Sequence, residues 1–182
     1  MSIVLFRQSK KQELETILWT IKNHKLLEKF CDSIIYPKLS KKLWQMIIND
    51  NDMFSNSREP VRKYLEKTNQ LVLEKNIKQT VIPLWRKIEK KFFTKIRNIL
   101  NLNLLPKYIC YLTRYGGGGT FNPPDTMWVQ VNKKNKNDIR YFTYTVAHEI
   151  IHILLEEKYK GKSHEEKEKE VDNVLIKTGL FK

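Results

Sequence analysis

Apolar residues recur at helical spacing through the first hundred residues and predict four helices, at about 9–30, 37–49, 58–79 and 82–103. The breaks between these helices fall at prolines and polar turn residues, near 36–37, 49–52 and 59–60. Three tryptophans, Trp19, Trp44 and Trp85, lie among leucines and isoleucines at helical spacing. We expect them to pack in a core rather than to bind a cofactor or nucleic-acid bases.

Two segments in the second half of the chain are rich in β-favouring residues and predict strands, at 107–115 and 126–131. Between them lie four consecutive glycines, 116–119, and then Pro123 and Pro124. Glycine permits backbone conformations that are closed to other residues, and proline stiffens the chain after it. The connection is therefore either an adaptable loop beside a substrate cleft or an ordinary hairpin connection. A phosphate-binding loop is disfavoured because no Gly-Lys-Ser/Thr follows the glycines.

The segment 143–157 predicts a helix that is buried around most of its circumference. Its apolar stripe consists of Ala147, Ile150, Ile151 and Leu154, extended by Val146 and Ile153. Its narrow polar strip consists of Thr145, His148, Glu149, His152 and Glu156. We expect the protein to enclose this helix except where the polar strip faces a cleft.

His148 and His152 are four residues apart in this strip, and Glu149 directly follows the first histidine. Residues at this spacing share one face of a helix, so both imidazoles can bind one zinc ion at about 2.0–2.1 Å. Glu149 lies beside that face, where it can act as general base toward a zinc-activated water without binding the metal. The competing interpretation is a core helix whose histidines only form hydrogen bonds.

A catalytic zinc site usually has three protein ligands, so one more ligand is needed. Gly161 ends the first helix, and Ser163 can cap a second helix. The buried stripe of that second helix would be Val171, Val174, Leu175 and Thr178. Three glutamates of the second helix, Glu166, Glu168 and Glu170, lie within reach. Helical periodicity alone does not decide between Glu168 and Glu170, which fall at opposite edges of the stripe.

Over roughly residues 106–182, the chain resembles the gluzincins, the thermolysin-like zinc metallopeptidases. Their second helix carries a ligand glutamate followed four residues later by an aspartate, which Glu168 and Asp172 match. The resemblance implies that Glu168 is the third zinc ligand and that Asp172 holds the ring of His148. Small ImmA/IrrE-like peptidases suggest a second register, in which Glu170 of Glu170-Val171-Asp172 is the ligand. We rank Glu168 first, Glu170 second and Glu166 third.

Together with the predicted helices and strands, the resemblance implies an α+β fold. A mainly helical region, 1–105, would precede a zincin-like catalytic core, 106–182, with a small antiparallel or mixed sheet. The two regions are expected to form one compact unit. The implied function is zinc-dependent hydrolysis of peptide bonds, with a peptide or protein substrate added beside an edge strand. Tyr115 and His164 are the nearest candidates for a donor to the developing oxyanion.

The 182 residues carry a formal net charge of +14, which raises the prospect of an acidic partner. The positive residues are dispersed, and no nucleic-acid-binding motif accompanies them. The alternative function is therefore a catalytically inactive zincin-like module that binds nucleic acid or an acidic protein through its basic surface.

The composition also predicts the protein's setting. No secretory signal or membrane span is predicted, because the apolar run at the start is short, and we expect a cytoplasmic protein. Cys31 and Cys110 are far apart in sequence and predict neither a disulfide framework nor a zinc ribbon.

Overall fold

The structure, a computed structural model, describes residues 2–31, 33–52, 54–71, 75–131 and 136–181. These residues form α-helices and one four-stranded mixed sheet, which confirms the predicted α+β class. In chain order the elements are β1 (Ile3–Arg7), α1 (Lys10–Lys22), α2 (His24–Phe30), α3 (Lys41–Asn49), α4 (Arg58–Lys67), α5 (Lys75–Leu100), β2 (Lys107–Thr113), β3 (Gly119–Asn122), β4 (Thr126–Gln130), α6 (Lys136–Leu155), a 3-10 helix (Glu156–Tyr159) and α7 (His164–Thr178). In this part of the chain, no helix has both the length and the apolar composition of a membrane span.

The sheet has the strand order β1-β2-β4-β3. β1 and β4 run parallel to β2, whereas β3 runs antiparallel to β4. Val4 lies opposite Tyr108, and Met127 lies opposite both Cys110 and Phe121. Because side chains alternate between the two faces of a sheet, these five residues share one face. That face of the sheet packs against α5, α6 and α7 and forms the first core.

A second core lies on the other side of the sheet, where α1, α3 and α4 pack together. Its buried members include Leu18 of α1, Ile47 of α3 and Leu65 of α4. α1 is tied to the sheet by hydrogen bonds: Glu13 Oε1 accepts from the backbone N–H of Arg114 at 2.9 Å. β1 and α5 precede residue 106 and yet pack in the first core. A division of the chain into units 1–105 and 106–182 stays a prediction.

Three of the predicted N-terminal helices differ in extent from the structure, and local backbone conformations end two of them early. The helix predicted at 9–30 is two helices, and between them the side chain of Asn23 donates to the carbonyl of Trp19 at 2.9 Å. The helix predicted at 58–79 ends at Lys67, since Asn69 adopts the left-handed conformation with φ of 52°. Positions 72–74 of that prediction lie outside the described residues. α3 begins only at Lys41, after the N-cap Ser40.

α5 begins at Lys75, so the helix start predicted at 82 is also wrong. Pro83 lies inside α5, where a proline removes one helical hydrogen bond and costs about 3 kcal/mol. Val81 and Trp85, on either side of Pro83, are buried in the first core, and their packing offsets this cost.

The predicted strands at 107–115 and 126–131 are present, and each is slightly shorter than predicted. The glycine-rich connection between them contains a strand that the sequence did not predict, β3, which pairs with β4 as a hairpin. The two predicted strands run parallel to each other, so the interpretation of this segment as a hairpin connection between them is wrong. The added strand β3 forms one edge of the sheet.

The other edge of the sheet, β1, is covered by side chains of α5. Glu89 Oε1 accepts from the backbone N–H of Val4 at 2.6 Å, and Arg86 donates to the carbonyl of Val4 at 2.8 Å. Arg86 and Glu89 also form an ion pair with each other. This pair occupies the backbone groups through which another strand would add to β1.

Glu13, at the interface of α1 and the sheet, provides a test of this packing. Its side chain is 2% exposed, and burial raises its pKa from 4.5 to about 7. Between these values the folded protein keeps a proton that the unfolded chain has released. The free energy of unfolding therefore falls as the pH rises from about 4.5 to 7.

Glu13→Gln removes this titration. We expect the stability of the variant relative to wild type to increase by about 3 kcal/mol between pH 4 and pH 8, measured by urea unfolding. Glu28→Gln, on the exposed side of α2, controls for the loss of one negative charge. A Glu13→Gln difference that does not vary with pH would show that folding leaves the pKa of Glu13 unchanged.

Candidate metal centre

α6 carries the two histidines and lies under the sheet, as its pattern predicts. Val146, Ala147, Ile150 and Ile151 are fully buried in the first core, and Leu154 is half-buried at its margin. The polar strip of α6 lies beneath β3, at the edge of the sheet. The apolar circumference of the helix thus fixes the direction in which its polar side chains project.

α7 supplies the carboxylate, and its start is fixed by a capping box. The side chain of Ser163 accepts from the backbone N–H of Glu166, and the carboxylate of Glu166 accepts from the backbone N–H of Ser163. The helix ends at Gly179, which adopts the left-handed conformation with φ of 59°. Its buried residues are Val171, Val174, Leu175 and Thr178, as predicted.

The structure brings together His148, His152 and Glu168, the three residues predicted as metal ligands. The Nε2 atoms of the two histidines are 3.0 Å apart, and each lies 3.1 Å from a different carboxylate oxygen of Glu168. Two ligands bonded to a tetrahedral ion at 2.0–2.1 Å lie about 3.3 Å from each other. The three side chains therefore have the separations that a shared metal ion requires, and within the described residues this is the group that could hold one.

The two competing glutamates make other contacts. Glu170 forms an ion pair with Lys162, and Glu166 caps α7 through Ser163. Neither belongs to the group that could hold a metal. The geometry therefore favours the register in which Glu168 is the third ligand.

The charges of the three side chains stabilise one another. Burial raises the pKa of Glu168, but contacts with His148 and His152 outweigh burial and hold this pKa well below its usual range. Burial lowers the pKa of His148, but the hydrogen bond and charge of Glu168 outweigh it, and the net shift is upward. A cationic charge at this point of the structure is therefore favoured, as expected where a metal cation can bind.

Glu149 lies beside these three residues and is 5% exposed. Burial and the charge of Glu168 raise its pKa, to about 7, against the lowering effect of His148. Its carboxylate packs directly against the backbone of β3: a Cβ added at Gly119 would lie 2.2 Å from Glu149 Oε1. Gly119 is thus required here for close approach rather than for an unusual backbone conformation.

The predicted contact between Asp172 and His148 is wrong. Asp172 Oδ1 instead accepts a hydrogen bond from the hydroxyl of Tyr144 at 2.8 Å. The ring of Tyr144 lies 5.9 Å from that of His148, centroid to centroid. Asp172 therefore contacts Tyr144 rather than the histidine, and its negative charge contributes to raising the pKa of His148. The Nδ1 atoms of His148 and His152 are buried and have no hydrogen-bond partner among the described residues.

Aromatic rings hold the histidines in place, and sequence analysis missed them. The ring of Phe121 in β3 stacks on His152 at 5.0 Å with an interplanar angle of 9°. Tyr159, after α6, packs edge-on against the other side of the site at 5.8 Å from His152. Phe121 lies in β3, which was not predicted as a strand. The alternation of side chains along that strand therefore could not be used to place its ring on the same face as the histidines. Tyr144 precedes His148 by one helical turn, and that spacing was a signal for its ring contact.

The two candidate oxyanion donors have different positions. The expectation for Tyr115 is wrong, because its ring belongs to the second core and its hydroxyl donates to Gln70 at 3.3 Å. His164, the first residue of α7, does lie beside the site: its Nδ1 is 3.7 Å from Glu168 Oε1, and its side chain is half-exposed. Phe30 of α2 packs against its ring at 4.5 Å.

Comparisons of the chain with protein-family models, curated proteins and solved structures give no match. The geometry of the site is therefore the guide to its chemistry. Two imidazole nitrogens and a carboxylate oxygen converge on one point, and a second, buried carboxylate lies next to them.

The ligand assignment can be tested with two glutamates of the same helix that have nearly equal exposure, 34% for Glu168 and 32% for Glu170. We expect Glu168→Gln to weaken zinc binding by more than about 100-fold, beyond the range typical of lost outer-shell contacts. Glu170→Gln should bind zinc like wild type, because it loses only a surface ion pair. The measurement is competition for zinc with a chromophoric chelator. Loss of zinc in Glu170→Gln alone would reverse the assignment.

Proposed function

We propose that this protein is a zinc-dependent metallopeptidase with a zincin-like catalytic core. The observation that supports this most directly is the triangle of His148, His152 and Glu168 with Glu149 beside it. Two histidines and one carboxylate are a common ligand set of catalytic zinc, which leaves a coordination position for water or substrate. Each histidine would bind the metal through its Nε2 atom, because these atoms converge. The buried Nδ1 atoms that have no hydrogen-bond partner are therefore not the ligating atoms.

A zinc ion held by these residues would supply Lewis acidity for the activation of water and the polarisation of a carbonyl group. Glu149 is the residue positioned to handle the proton. Its carboxylate accepts a proton from the attacking water and then donates it to the leaving nitrogen as the peptide bond breaks. Burial beneath β3 favours this role, because desolvation raises the pKa of the Glu149 carboxylate and so makes it a stronger base toward water.

The edge of β3 suggests that the substrate is an extended peptide. Gln130 donates to the carbonyl of Gly118 at 2.7 Å, which makes these two a hydrogen-bonded pair of the hairpin. Because such pairs alternate in an antiparallel ladder, the backbone N–H and C=O of Gly119 and Phe121 point away from β4. These are the two β3 residues that contact Glu149 and His152.

A peptide that bonds to these outward groups would run along β3 as an additional strand, with its backbone directly above the triangle of ligands. The covered edge at β1 does not offer such a site. His164 lies beside Glu168 at the margin of the triangle and is a candidate donor to the oxygen of the scissile carbonyl.

Glu149→Gln tests the assigned base. We expect it to keep zinc and to lose peptide hydrolysis by about 100-fold or more, since the amide cannot accept the proton. Gly119→Ala should have a similar effect on hydrolysis with zinc retained, because the added methyl group displaces the Glu149 side chain. The measurements are zinc content and cleavage of a casein or peptide-library substrate.

Glu156→Gln is the matched control, since Glu156 directly follows α6 in the 3-10 helix and does not belong to the ligand group. It should hydrolyse substrate like wild type. The proposal fails if wild type binds no stoichiometric zinc, or if Glu149→Gln retains full activity.

A second candidate function is the binding of nucleic acid, and one observation favours it. α5 contains eight lysines and arginines and a single acidic residue, Glu89, which is buried. It thus contributes +7 of the net charge of +14. The exposed basic residues of its second half follow helical spacing along one face: Arg86, Lys87, Lys90, Lys91 and Arg97. Such a one-signed face can bind phosphates of a nucleic-acid backbone.

Two adjacent lysine pairs on exposed helix surfaces allow a matched test, Lys90-Lys91 in α5 and Lys41-Lys42 in α3. If the face of α5 binds duplex DNA, alanine at both Lys90 and Lys91 should lower the slope of log affinity against log salt by about 2. Alanine at both Lys41 and Lys42 should leave this slope unchanged. Fluorescence anisotropy of a labelled duplex gives the slope, and equal effects of the two variants would indicate only non-specific attraction.

A further inference from the structure

A small cleft lies between the glycine-rich start of β3 and the N-terminal helices. Its cavity volume is about 80 Å³, and it is lined by residues of α1, α2, the sheet and the glycine run. Trp19 of α1 and Leu27 of α2 form one wall, and Thr120 and Trp128 of the sheet form the other. Most of the lining is apolar or consists of threonine side chains.

The cleft and the candidate metal centre share one neighbouring residue, Gly119. Gly119 lines the cleft, and on its other side it touches the carboxylate of Glu149. The glycine run packs equally closely against α2: a Cβ at Gly117 would lie 2.6 Å from Sγ of Cys31. The helices α1 and α2 are therefore held next to the edge along which a peptide substrate would lie.

The two sites are on opposite faces of the sheet. Phe121 and its partner Met127 lie on the face of the first core, near the metal ligands, whereas Thr120 and its partner Trp128 lie on the other face. Side chains of an extended peptide also alternate between the two faces. A substrate strand added to β3 therefore directs every second side chain to the side of the sheet on which the cleft lies.

We propose that this cleft is a specificity pocket that binds an aliphatic side chain of the peptide substrate, of the size of valine or leucine. The inference rests on the proposed function, since it takes the substrate to be a peptide strand on β3. The volume supports the size: a single water needs about 10–15 Å³, and an apolar cavity of about 150 Å³ holds benzene. A cleft of about 80 Å³ lies between these limits.

The surface around the cleft is also apolar. Among the described residues, six large hydrophobic side chains are exposed, and three of them are Trp19, Leu26 and Phe30 of α1 and α2. Phe30 also packs on His164, which is 3.7 Å from Glu168. The apolar surface of α1 and α2 thus extends from the cleft to the margin of the metal ligands, where flanking apolar residues of a substrate would lie.

The experiment measures substrate preference with the zinc-loaded full-length protein and a random decapeptide library. Wild type should prefer leucine or valine over alanine by about tenfold at one position near the cleavage point. Trp19→Ala enlarges the pocket and should shift this preference to phenylalanine. Leu27→Glu introduces a negative charge and should shift it to lysine and arginine. Ile176→Ala, which removes an exposed apolar side chain 73% accessible on α7, should leave the wild-type preference unchanged.

Binding is the second readout, and it separates the pocket from catalysis. The Glu149→Gln protein is titrated with fluorescein-labelled peptides that carry leucine or alanine at the selected position, and the leucine peptide should bind about tenfold more tightly. If zinc-loaded wild type cleaves nothing but binds with this preference, the pocket stands and the proposed peptidase function fails. If wild type cleaves and neither Trp19→Ala nor Leu27→Glu alters the preference, the pocket is overturned and the peptidase function stands.

Discussion

The packing of α6 beneath the sheet is the constraint on which the site depends. A helix that is apolar around most of its circumference must be covered on nearly all sides, and here α5, α7 and the sheet cover it. The uncovered strip then has one possible position, under the edge strand. His148 and His152 are directed to a common point by this burial, before any ion or substrate contributes to their placement.

α7 and β3 complete the arrangement from opposite sides. The capping box at Ser163 fixes where α7 starts, and Glu168 then falls opposite both histidines because it follows the cap by little more than one turn. β3 approaches from above, and its closeness depends on Gly119 having no side chain. The distance of Glu168 from the start of α7 and the absence of a side chain at Gly119 therefore set the spacing of the carboxylates and imidazoles.

The features that could be predicted from sequence are those set by local periodicity. The stripe of α6, the cap of α7 and the pairing of His148 with His152 followed from residues a few positions apart. Glu168 was ranked above Glu170 through the resemblance, because periodicity did not separate them. Contacts between distant segments could not be read in this way: Tyr144 competes for Asp172, Lys162 pairs with Glu170, and Gly119 belongs to an unpredicted strand. The start of α5 at Lys75 was also not predicted, since the helix continues through Pro83, whose local cost is outweighed by tertiary packing of Trp85.

The unequal edges of the sheet also determine how copies of this protein can associate. A fibre that grows by pairing of edge strands needs two free sheet edges on every molecule, one for each neighbouring molecule. Arg86 and Glu89 occupy the backbone of Val4 at one edge, so within the described strands β3 is the edge open to another strand. Strand addition on this molecule therefore stops after a single event, and the open edge at β3 does not become a starting point for fibre growth.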